Sequence, residues 1–121
     1  MFTRAREDAS AAIQDAWAEF ERAVGLGGRK FFGAYDHRTG EYRVCAQLRE
    51  DDDPGALGFH VGELPGGGYL RVRLQGKPPG VYERIAPIFE ELAGHAEVDE
   101  SRPTIEFYKS LDVIDLLLPV I

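Results

Sequence analysis

The sequence predicts an α+β domain: an antiparallel sheet carrying two helices. Three features point to it. Two segments place apolar residues at helical spacing, and several shorter ones alternate apolar and polar residues as half-buried strands do. The order of these segments is helix, hairpin, strand, helix, hairpin, so helix–hairpin occurs twice. The chain therefore reads as two β-α-β-β repeats, one over about residues 1–50 and one over about 57–121, within a single domain spanning 1–121.

Only residues 1–4 precede the first helix, so the opening strand of the first repeat is expected to be missing or truncated. A sheet edge left open there would invite association, so a dimer is expected. "DASAAIQDAWAEFERAV" is the clearest helix: Ile13, Trp17, Phe20 and Val24 recur at helical spacing. Asp8 or Ser10 supplies the N-cap, and Gly25, Gly27 and Gly28 end the helix.

"RKFFGAYDHRTGEYRVCAQLRE" reads as a hairpin turning at 37–40, with Tyr42, Val44, Ala46 and Leu48 on one face of its second strand. "EDDDPG" is expected to be an exposed loop. "LGFHVGELPGGGYLRVRLQG" reads as a short strand, a glycine turn and a strand over 69–74, with Leu70, Val72 and Leu74 on one face. "PPGVYERIAPIFEELAGH" is the second helix, with an apolar stripe of Val81, Ile85, Ile88, Phe89 and Leu92. Pro87 inside it costs a backbone hydrogen bond, so the helix bends there or begins late. "PTIEFYK" and "DVIDLLLPV" form the closing hairpin.

Composition narrows the function classes. Of 121 residues, 44% are hydrophobic and 29% charged, an ordinary globular mixture. The net charge of −7 argues against direct nucleic-acid binding, which uses a clustered basic face. No run reaches the roughly 18 apolar residues of a membrane span, and no signal-peptide core opens the chain, so a cytoplasmic protein is expected. The single cysteine, Cys45, fits a reducing compartment.

Several chemical motifs fail on inspection. "GLGGRKFFG" does not match a dinucleotide fingerprint, and the second glycine-rich stretch lacks the ending of a phosphate loop. His37, His60 and His95 are scattered without metal-ligand spacing, and "EDDDPG" lacks the distal glutamate of a calcium loop. No metal or cofactor is expected.

What remains is "PTIEFYKS". On a strand, Glu106 and Tyr108 share one face, and Ile105 and Phe107 share the other. If the Ile105/Phe107 face packs on the helices, Glu106 points away from them, to solvent or to a pocket. Trp17, Phe20, Tyr35 and Tyr69 are available as aromatic walls. A carboxylate among aromatic faces suits an apolar, cationic ligand, through ion pairing and cation–π contact.

At this point the chain resembles the GyrI-like family, the small-molecule effector-binding domain of multidrug-responsive and AraC-type transcription regulators. "ELPGGGYLRVRLQG", "TIEFY", "AIQDAWAEF" and "GAYDHRTGEYRV" are similar to family segments and fall in family order. The resemblance implies two β-α-β-β repeats around a ligand groove, with Glu106 in the pocket beside Tyr108 and Trp17 on the first helix. Tyr35 and Tyr69 would line it more loosely. The resemblance implies a binder of drug-like or metabolite ligands, and the one-domain length and acidic charge favour a stand-alone binder with no DNA-binding domain attached. Two alternatives stay open on the same resemblance. One is a hydrolase of cyclopropane-bearing genotoxic compounds, with Glu106 and Tyr108 as its catalytic pair. The other is a protein-interaction role such as gyrase inhibition.

Overall fold

The structure, a computed structural model, describes residues 1–5, 10–25, 29–110 and 112–121, without the side chains of residues 10 and 11. The elements run β1 (Phe2–Arg4), α1 (Ser10–Val24), β2 (Phe31–Asp36), β3 (Glu41–Ala46), α2 (Pro54–Leu57), β4 (Tyr69–Gln75), α3 (Gly80–Glu83), α4 (Ile85–Ala93), β5 (Thr104–Ser110) and β6 (Val113–Pro119). The strands form one six-stranded sheet in the order β1-β3-β2-β5-β6-β4, antiparallel at every pairing. The domain is therefore α+β, as expected. The opening strand, expected to be missing or truncated, is present and short, three residues long and paired to β3.

Helix α1 forms where the apolar stripe lies. Phe20 is fully buried, and its ring packs against Phe31 and Phe59 at 6.4 and 4.7 Å between centroids. Gly25 stops the helix: at φ +75° it takes the left-handed conformation that glycine adopts freely, and its N–H donates to Glu21 O at 2.8 Å. The expected cap Asp8 and the further stops Gly27 and Gly28 lie outside the described residues. The β2–β3 hairpin closes with the Arg38 N–H donating to Asp36 Oδ1 at 2.9 Å and the Gly40 N–H to Asp36 O at 2.8 Å.

Three segments depart from expectation. Residues 50–55 are not simply a loop. Asp53 caps α2, accepting from Ala56 N at 3.3 Å, and Pro54 opens the helix where its missing N–H costs nothing. The short strand expected before the glycine turn does not form; a single bridge joins His60 to Phe2. The third departure is the helix carrying Pro87, which is two helices, α3 and α4, broken at Arg84. Pro87 falls in the first turn of α4, where N–H groups have no intrahelical acceptor in any case, and the ladder resumes with Ile88 N–H to Arg84 O at 3.1 Å.

Helices α1, α3 and α4 pack on one face of the sheet. There α1 covers Phe31, Tyr42, Val44 and Ala46, while α3 and α4 cover Leu74, Ile114 and Leu116. Tyr108 touches both clusters and so sits at their seam. On the opposite face Phe2, Ala34 and Cys45 are buried with Phe32 and Leu64, and Phe107 stacks on Phe32 at 4.9 Å.

This corrects the orientation expected for β5. Glu106 pairs across the sheet with Gly33 and Leu116, and Tyr108 with Phe31 and Ile114, all on the helix-bearing side. Ile105 and Phe107 face away from the helices. Alternation gives the phase of a strand and not its polarity, and here both faces carry apolar residues.

Candidate functional site

The site is built at the seam between the two halves, where β2 and β5 pair. Glu106 rises from β5 toward the helices. Tyr108, two residues on and on the same face, donates its hydroxyl to Glu106 Oε1 at 2.6 Å. Tyr42 reaches the same oxygen from β3, across the intervening β2, at 2.8 Å. Trp17 Nε1 on α1 donates to the Tyr42 hydroxyl at 3.2 Å, and its ring meets Tyr108 edge-on at 5.0 Å. Each hydrogen bond polarises the next, so the four side chains act as one network.

Gly33 makes that reach possible. It lies between Tyr42 and Glu106, and a Cβ built there would stand 2.1 Å from the Tyr42 hydroxyl and 2.8 Å from Glu106 Oε1. The β2 backbone must be bare at this point for β3 and β5 to share a hydrogen bond over it.

Above the network opens a cavity of about 670 Å³, within the range of drug-sized ligand sites. Glu106, Tyr108, Tyr42 and Phe31 form its floor; Ile13, Trp17 and Glu21 of α1 form one wall, and Tyr82, Ile85 and Ala86 of α3 and α4 the other. Arg29 stands at the margin with two guanidinium nitrogens on Asp52, at 2.5 and 2.9 Å, and a further bond to Gln47 O at 3.1 Å. That bidentate pair pins residues 47–52 beside the site, and the Asp52 carboxyl is held down to about 2 by its bonds to Arg29 and to the Arg49 backbone.

Burial raises the Glu106 carboxyl above the ordinary carboxylate range, and the two tyrosine hydroxyls only partly oppose this. Tyr42 and Tyr108 are pushed upward by burial and by the neighbouring carboxylate, so both remain protonated donors. Among the described residues both donors to Glu106 engage Oε1, and none engages Oε2. The floor therefore offers one oxygen to an occupant and holds the other in place.

Of the residues expected at the site, the structure brings together Glu106, Tyr108 and Trp17. Phe20 does not line the cavity; it is turned into the core beneath α1. Tyr35 lies two residues along from Gly33, packs at the edge of the first cluster and meets His37 edge-on at 4.9 Å. Tyr69 is on the far face of the sheet, its hydroxyl on Pro65 O at 2.7 Å and its ring under Arg102 at 4.8 Å. These three aromatics are spent on packing. Sequence reasoning missed Tyr42, Tyr82, Glu21, Arg29 and Gly33. Tyr42 was visible as a member of the apolar face of its strand, but only the β3-β2-β5 register sets it beside Glu106.

Among the described residues no three His, Cys, Asp or Glu side chains form a group able to hold a metal ion, and no helix is long and apolar enough to cross a membrane. A comparison with protein-family models returned no match, and neither did one with curated proteins.

Proposed function

We propose that this chain is a small-molecule binding protein of the GyrI-like type, which senses or sequesters an apolar, cationic ligand in the cavity over Glu106. The observation that carries this reading is a carboxylate at the floor of a cavity of about 670 Å³, bonded among the described residues on one oxygen only, with Trp17, Tyr82 and Tyr108 around it. A ligand cation restores the ionised form that burial disfavours, and the aromatic faces add cation–π attraction. The fold supports the reading as well. The order β1-β3-β2 is mirrored by β4-β6-β5, and each half carries helix between its first and second strands, which is the pattern of two β-α-β-β repeats joined at β2 and β5.

Trp17 is the only tryptophan, so its fluorescence reports on this cavity alone. In a panel of aromatic cations and neutral analogues, the cations bind and quench Trp17, and Glu106→Gln weakens them by about tenfold or more, the worth of one desolvated ion pair. Equal binding of cations to the wild type and to Glu106→Gln rules the carboxylate out as the anchor.

A hydrolytic reading has one observation in its favour: a carboxyl of raised basicity beside a tyrosine hydroxyl, both facing the cavity. Turnover of a strained electrophilic substrate that disappears in Glu106→Gln would decide for it, and ligand recovered unchanged would decide against it.

A further inference from the structure

The cavity holds a second carboxylate that the Glu106 network does not use. Glu21 lies on α1 four residues beyond Trp17, on the same helix face and about 6 Å further along the axis. It is half-buried, and among the described residues no side chain or backbone N–H pairs with its carboxylate. Burial raises its carboxyl above the ordinary range, and its charge is felt by Tyr82 on the opposite wall. Tyr82 in turn meets Tyr108 edge-on at 6.1 Å. Glu106, the rings of Trp17, Tyr108 and Tyr82, and Glu21 therefore line one cavity.

Among the described residues, the cations lining the cavity are engaged elsewhere. The Arg29 guanidinium is committed to Asp52. The Lys109 ammonium lies 5.9 Å over the Phe107 ring, on the other face of the sheet. Two carboxylates lining one aromatic cavity match a ligand with two positive centres separated by a flat or apolar spacer.

Resting on the proposed binding of cations over Glu106, we propose that Glu21 is a second anionic anchor and that the preferred ligands are bis-cations with an apolar linker. One centre sits on Glu106, the linker packs on Trp17 and Tyr82, and the other centre pairs with Glu21, about one helical turn beyond Trp17. A monocation of the same size uses the floor alone.

The test compares p-xylylene-bis(trimethylammonium) with 4-neopentylbenzyltrimethylammonium, in which a tert-butyl carbon replaces one ammonium nitrogen so that the shape is kept with one charge, by Trp17 fluorescence and by calorimetry. In the wild type the bis-cation binds about fivefold tighter, the worth of one partly exposed ion pair. Glu21→Gln removes the advantage of the bis-cation over the monocation, while Glu106→Gln weakens both. Equal affinities for the two cations in the wild type, or an advantage that survives Glu21→Gln, overturn the second anchor and leave the floor intact. A wild type that binds neither cation overturns both readings. Circular dichroism of Glu21→Gln separates loss of an anchor from loss of fold.

Discussion

At the scale of single residues, the site depends on an absence. Gly33 has no positive φ to explain it, and a turn has no part in it. Its role is to leave room for the Tyr42–Glu106 hydrogen bond. Gly33→Ala forces a methyl into the space of the Tyr42 hydroxyl, so Tyr42 and Glu106 must separate or the strands must shift. We expect a loss of about 1–3 kcal/mol in chemical denaturation, typical of an overpacked core, together with loss of cation binding. Phe20→Ala provides the contrast. It empties a fully buried site and costs about 3–5 kcal/mol, yet removes no group that lines the cavity. Trp17 and Phe20 are equally plausible pocket aromatics in the sequence. They are three residues apart on one helix, and the small difference in angle sends one ring to the Tyr42 hydroxyl and the other to the core.

At the scale of elements, the proline in the second helical segment is accommodated by a helix start and not by a kink. Pro87 stands in the first turn of α4, where no N–H is required. Pro87→Ala should therefore change stability by less than about 1 kcal/mol, because no missing bond is restored. A gain near 3 kcal/mol, the cost of a proline inside a helix, would show that α3 and α4 form one interrupted helix. The break also matters to the site. It lets Tyr82 of α3 and Ile85 and Ala86 of α4 line the same wall. Likewise "EDDDPG" is polar enough to read as a solvated loop, yet Asp52 is spent on Arg29 and Asp53 on a helix cap.

At the scale of the whole molecule, the raised carboxyl of Glu106 sets a pH dependence with a definite sign. The folded chain keeps this proton to higher pH than the unfolded chain, so its stabilising contribution is full below the ordinary carboxylate range and is lost as pH rises through the folded value. Cation binding runs the other way, since it needs the ionised carboxylate. Affinity should rise with pH through that value, and Glu106→Gln should flatten the profile measured by Trp17 fluorescence. The same variant, free of ligand, should melt higher than wild type at pH 8, because a neutral amide still accepts both tyrosine bonds. An unchanged or lower melting temperature there would show that the carboxylate is not strained by burial. The sequence by itself determined much of this protein: the α+β class, the strand phase pairing Glu106 with Tyr108, the helix stripe bearing Trp17, and the closing hairpin. All of these are local properties, carried by periodicity within a dozen residues. Only the tertiary structure decided which face of the sheet meets the helices, that Tyr42 rather than Tyr35 or Tyr69 reaches Glu106, and that Glu21 looks into the same cavity. Those outcomes depend on register between strands far apart in the chain and on which of two apolar faces the helices cover, and neither leaves a periodic trace in the sequence.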